Sequence, residues 1–134
     1  MTKLNEIEGI GSTYEEKLTT AGISSIESLL AACTTKKERT ELAEKTDIPD
    51  LLILKWVNRA DLARINGIGS EYADLLEAAG VDTVPELAQR KAENLFVKIT
   101  SVNDEYKFVK KMPTEKQVED WIEQAKNLPR VIQY

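Results

Sequence analysis

The segment IEGIGSTYEEKLTTAGI, running from Ile7 to Ile23, returns fifty-eight residues later as INGIGSEYADLLEAAGV, from Ile65 to Val81. Over Ile7–Leu30 against Ile65–Ala88, ten of twenty-four positions are identical: Ile7, Gly9, Ile10, Gly11, Ser12, Tyr14, Leu18, Ala21, Gly22 and Leu29. Both Gly-Ile-Gly triplets stay in register, and so do both Ala-Gly pairs. Two copies are too few for a solenoid, which needs at least three repeats to bury a continuous core. The duplication therefore predicts one pseudo-symmetric domain, 1–134, built on two equivalent hairpins.

Sustained period-two alternation is missing, and helix signals run nearly throughout. Ser12-Thr-Tyr-Glu15, Thr35-Lys-Lys-Glu38, Thr83-Val-Pro-Glu86 and Thr114-Glu-Lys-Gln117 all match the capping box, in which N-cap and N3 side chains satisfy each other's backbone amides. Gly22 and Gly80 close apolar helical runs, where glycine is favoured at C′. The expected fold is all-α, with helices over 2–7, 12–21, 25–32, 35–46, 49–65, 70–79, 84–91, 92–110 (whole or broken) and 114–127. Leu51-Leu-Ile-Leu-Lys-Trp-Val57 is apolar nearly all round, which predicts the buried centre of the fold. Val118, Trp121, Ile122, Ala125 and Leu128 recur at helical spacing and predict a stripe docked on the core. The tail 129–134 has no periodicity.

Composition narrows the chemistry. The chain has 134 residues, a net charge of −5, one cysteine and no histidine. Without histidine, the commonest general base and metal ligand is missing, so zinc chemistry and Ser-His-Asp catalysis are not expected. The lone Cys33 excludes an internal disulfide and points to a reducing, cytoplasmic setting. Neither a membrane-length apolar run nor a signal-peptide pattern is present, and a monomer is expected. The acidic balance argues against a high-affinity nucleic-acid binder. Its local exception is the basic excess at Arg90, Lys91, Lys98, Lys107, Lys110 and Lys111, which reads as a solvated helix face.

Each Gly-Ile-Gly lies between helical patterns close enough to allow only a tight turn. Glycine permits positive φ there, expected at Gly11 and Gly69, Ile10 or Ile68 turns inward, and the amides opening the next helix form an anion-ready surface. This pattern, followed by Leu and Ala-Gly at matching offsets, resembles the helix-hairpin-helix motif in its duplicated, pseudo-twofold form over residues 1–89. The extension 90–128, with VEDWIEQAKNLPR, resembles the C-terminal part of an uncharacterised prokaryotic helix-hairpin-helix family.

The resemblance implies a non-catalytic module that binds duplex DNA weakly and without sequence preference, through hairpin amides on phosphates. Carried over by position, the contacts would be Gly9, Ile10, Gly11, Ser12 and Thr13, and Gly67, Ile68, Gly69 and Ser70. Lys17, Arg59 and Arg64 are the basic residues expected to flank them. No metal or cofactor is expected. The lysine that glycosylase members place after the hairpin is replaced by Thr13 or Glu71, and Asp82 reads as a turn residue, so no enzyme is expected. Glu8, Glu15, Glu16, Glu71 and Asp74 oppose a phosphate. They favour the alternative, a protein-interaction domain that keeps the hairpin fold without binding DNA.

Overall fold

The computed structural model describes residues 2–134 of the chain, and the described residues form helices and no strand. After a 3-10 turn at Leu4–Glu6 come α1 (Ser12–Thr20), α2 (Ile26–Ala32), α3 (Lys36–Thr46), α4 (Asp50–Leu62), α5 (Ser70–Ala78), α6 (Val84–Ala88), α7 (Ala92–Tyr106) and α8 (Glu115–Asn127). The chain divides into two compact units, Met1–Asp61 with Arg130–Tyr134, and Leu62–Pro129.

Each unit has its own apolar cluster and the same order of elements: glycine turn, long helix, short helix, two further helices. Unit 1 closes around Leu18, Leu29, Ile53, Trp56 and Val57, and unit 2 around Leu76, Leu87, Ile99, Val118 and Trp121. In α4, Ile53 and every residue from Trp56 to Leu62 are buried, while Leu51 is 77% exposed, Lys55 is exposed and Leu52 and Leu54 are only partly covered. The expected burial of Leu51–Val57 therefore holds at Ile53, Trp56 and Val57 and fails in the first turn at Leu51, while the all-round burial falls on the second half of the helix. In α8 the expected stripe is present, with Val118, Trp121, Ile122 and Ala125 buried.

Local chemistry sets the helix ends. Thr35 and Thr114 make reciprocal capping boxes with Glu38 and Gln117, and Thr83 accepts from the Glu86 amide. Ser12 is the exception: Gly11 is the N-cap of α1, with no side-chain cap, and Ser12 is the first helical residue. Ser25 and Ser28 form a capping box on α2, where hydroxyl takes the place of the usual carboxylate at N3. After α1 the Ile23 amide donates to the Leu18 carbonyl (2.9 Å) and the Gly22 amide to that of Thr19 (3.0 Å). The same pair of bonds closes α5 at Gly80 and Val81, a Schellman motif in each copy.

The tail is tied down. Ile132 is buried, the Gln133 amide donates to the Thr34 carbonyl (2.7 Å), and the Tyr134 hydroxyl donates to Asn58 Oδ1 (2.7 Å). Buried Arg39 donates to the carbonyls of Cys33, Thr34 and Gln133, clipping the tail to the α2–α3 connection.

Candidate functional site

The two glycine turns have the same backbone. Ile7 and Ile65 enter each turn buried, and Ile10 and Ile68 point inward at 3% and 5% exposure. The Ile10 amide donates to the Ile7 carbonyl (3.1 Å) and the Ile68 amide to that of Ile65 (3.2 Å), so both are engaged within the turn. Positive φ falls on the first glycine of each triplet, +98° at Gly9 and +99° at Gly67, and not on Gly11 and Gly69 as expected. Gly11 and Gly69 are extended, at φ −87° and −93°, and a Cβ on either would meet nothing within 4 Å. The second glycine is thus required neither by backbone strain nor by packing inside the molecule.

A tryptophan covers each first glycine. A Cβ on Gly67 would lie 2.9 Å from Trp121 Nε1, and one on Gly9 would lie 3.4 Å from Trp56 Nε1. Tyr14 meets Trp56 at a centroid distance of 5.2 Å, and Tyr72 meets Trp121 at 5.3 Å. Both tryptophans are core pieces that lock the turns. In unit 2 the lock extends to α8: the Asn66 amide donates to Gln124 Oε1 (2.9 Å) and Gln124 Nε2 to the Asn66 carbonyl (3.1 Å).

Outside each turn, α1 and α5 open on a glycine N-cap, which has no side chain to cap the helix, and the first turn of any helix lacks intrahelical acceptors for its amides. Ser12, Thr13 and Ser70 are exposed. In sequence the first turn is flanked by Glu8 before it and by Thr13, Glu15 and Glu16 after it, while Lys17 Nζ sits 6.0 Å from the centroid of the Tyr14 ring. Of the other expected basic neighbours, Arg59 is buried and Arg64 donates to the Pro129 carbonyl (3.0 Å).

The second turn has different company. Gly67, Gly69, Ser70, Glu71 and Tyr72 line an open groove of about 630 Å³ whose other wall is Lys107, Phe108, Lys110 and Lys111. These lysines were expected on a solvated helix face, but α7 stops at Tyr106. Lys107 adopts the left-handed conformation (φ +57°), and Asn103 captures the loop by accepting from the Val109 amide (2.9 Å) and donating to the Val109 carbonyl (3.1 Å). Tyr72 donates to the Lys111 carbonyl (3.0 Å), pinning the far end of the loop beside α5. The loop thus brings three lysines to the turn, and Glu71 is the carboxylate that opposes them.

No triad of His, Cys, Asp or Glu arranged for a metal ion occurs among the described residues, and no helix there is long and apolar enough to cross a membrane. Residues 8–128 match a domain of unknown function, DUF4332, and the chain belongs to that family. No curated protein and no solved structure matches the chain.

Proposed function

We propose that this DUF4332 member is a non-catalytic, helix-hairpin-helix module that binds DNA weakly and without sequence preference, with the second glycine turn as its main phosphate contact. The observation that carries this reading is the placement of Lys107, Lys110 and Lys111 on the groove shared with Gly67, Gly69 and Ser70. Lysines supply the long-range attraction, and helix-opening amides supply short hydrogen bonds to phosphate oxygens. Gly69, needed by neither φ nor packing, leaves the closest backbone approach open. The first turn presents similar backbone amid carboxylates, so its share of the contact is smaller.

Few charges are involved, so the salt slope should correspond to about two or three neutralised phosphates, at about −0.9 each. Affinity should lie near the weak end of the non-specific range, about 10⁻⁴ M at physiological salt, whatever the sequence. Fluorescence anisotropy with a short duplex at two salt concentrations tests this. Lys110→Glu with Lys111→Glu should abolish binding, and Glu71→Lys should tighten it more than Glu15→Lys does at the first turn. Unchanged affinity in the double reversal would remove the groove from the contact surface.

A protein partner is favoured by one specific observation. Leu51 is 77% exposed and, with Leu54 and Tyr134, lines a shallow depression of about 330 Å³ on unit 1. Leu51→Glu should leave DNA affinity unchanged; a loss there would move the contact onto unit 1.

A further inference from the structure

Beside the three lysines, the last residue of α7 and the loop that follows it expose two aromatic rings. Tyr106 is 64% and Phe108 37% exposed, and their centroids lie 6.1 Å apart at an interplanar angle of 54°. Neither belongs to the packed cluster of unit 2, where Phe96, Tyr72 and Met112 fill the margins. The anchor of the loop is Val109, whose side chain is buried and whose amide and carbonyl are both held by Asn103. Apolar area left in water on a fixed loop contributes nothing to folding. Next to cations, it makes a surface on which a flat, anionic chain can lie.

We infer that the nucleic acid taken by the second glycine turn is single-stranded, with Phe108 and Tyr106 as a platform for an unpaired base while Lys107, Lys110 and Lys111 hold the phosphates. This deepens the DNA-binding reading and rests on it. In a duplex, both faces of nearly every base are covered by neighbouring pairs, so an aromatic platform gains nothing from it. An unpaired base offers a free π-face to any aromatic ring, whatever the sequence, and stacking of this kind is the usual companion of a positively charged track in single-strand binding. The groove of about 630 Å³ is also within the range that receives a ligand-sized body.

The test is a set of anisotropy titrations at low salt with an oligo-dT, a duplex of the same length and an abasic strand with the same number of phosphates. Wild type should prefer oligo-dT over both other probes by about fivefold or more, the lower bound for one stacked base. Phe108→Ala should erase that preference by bringing oligo-dT affinity down to that of the other two probes, Tyr106→Ala should reduce it, and Phe108→Trp should restore it. Phe108 lies outside the packed core, so thermal melts of these variants should match wild type and exclude unfolding as the cause. If Phe108→Ala changes no affinity, or lowers all three alike, the platform is overturned. If in addition Lys110→Glu with Lys111→Glu still abolishes binding to every probe, the phosphate reading survives without it. Equal wild-type affinity for all three probes also overturns the platform, and no binding to any probe overturns both proposals.

Discussion

The two units solve the same local problem with the same residues and then diverge. Gly9 and Gly67 take positive φ, Ile10 and Ile68 fill the turn from inside, and Trp56 and Trp121 lie over the glycines. These pairs belong to the turn itself. The connection into the last helix is where the units part. Unit 1 joins α3 to α4 through Asp47-Ile48-Pro49, and unit 2 joins α7 to α8 through Lys107–Thr114. Both connections begin on a non-glycine residue at φ +57°, Asp47 and Lys107. The longer one then carries lysines and an exposed phenylalanine to its glycine turn. What the units share explains stability, and what they do not share locates the candidate function.

The largest effects should come from the glycines, and they should be unequal. Gly67→Ala combines a strained φ with an overlap against Trp121 Nε1 at 2.9 Å, and should cost about 2–4 kcal/mol. Gly9→Ala meets the strain but only an ordinary 3.4 Å contact, and should cost about 1–3 kcal/mol. Gly11→Ala and Gly69→Ala should cost no more than about 0.5 kcal/mol, the small disadvantage of alanine at an N-cap. Thermal melts of the four variants rank them. Equal losses at Gly9 and Gly11 would break the assignment of strain to the first glycine.

The next pair exchanges one tether for another. In unit 1, Arg39→Met strips three carbonyls of a buried cationic donor and should cost about 2–3 kcal/mol. In unit 2, Asn103→Ala releases the Val109 amide and carbonyl and should cost about 1–2 kcal/mol. Only the second should also weaken DNA binding, because only the second positions lysines. A binding loss from Arg39→Met equal to that from Asn103→Ala would sink the distinction between the units.

Most helices were legible because their signals are local: a capping threonine, a C′ glycine, a 3.6-residue stripe. The hidden parts depend on tertiary neighbours. Positive φ, expected at Gly11 and Gly69, falls on Gly9 and Gly67, because Gly-Ile-Gly carries no local signal that tells its two glycines apart. The lysine cluster is visible in the sequence but reads as a solvated helix face, on a helical stretch over 92–110, whole or broken. What ends α7 at Tyr106 is Asn103 reaching forward to Val109, and nothing in an isolated asparagine announces that. The tail gave no periodic signal because one buried isoleucine and three hydrogen bonds hold it, with no helical face.

Cys33 allows unit 1 to be read alone, since unit 2 has no cysteine. Burial, reinforced by the nearby Glu38 carboxylate and only partly offset by Arg39, raises its thiol to about 11. A group raised in the folded state from 9.0 to about 11 adds stability below the lower value, and that stability is lost as pH climbs between the two. Alkylation by iodoacetamide at neutral pH should therefore be slow, and Asn103→Ala in unit 2 should leave it unchanged. Fast labelling of the folded wild type would mean that the thiol is not shielded.

The smallest effect should be an acid sensitivity confined to unit 1. Glu27, in the first turn of α2, accepts from the Thr2 hydroxyl (2.7 Å) and from the Thr2 amide through both carboxylate oxygens. The Thr2 hydroxyl bond is the largest of the effects that hold its carboxyl down at about 2, against an ordinary value of 4.5. In the second copy of the repeat, the matching position is Pro85, which has no carboxylate to protonate. A depressed carboxyl adds stability above its unfolded pKa, and that stability disappears as pH falls from about 4.5 to about 2. The group is exposed, so the loss should be slight and should shrink with added salt. It can be followed through Trp56 fluorescence in a Trp121→Phe background, with denaturant midpoints taken at pH 6 and at pH 3. Glu27→Gln should flatten that difference, and Trp121 fluorescence in the reciprocal Trp56→Phe background should be insensitive to the same substitution. If Glu27→Gln leaves the Trp56 pH dependence intact, the clasp between Thr2 and α2 contributes nothing in solution.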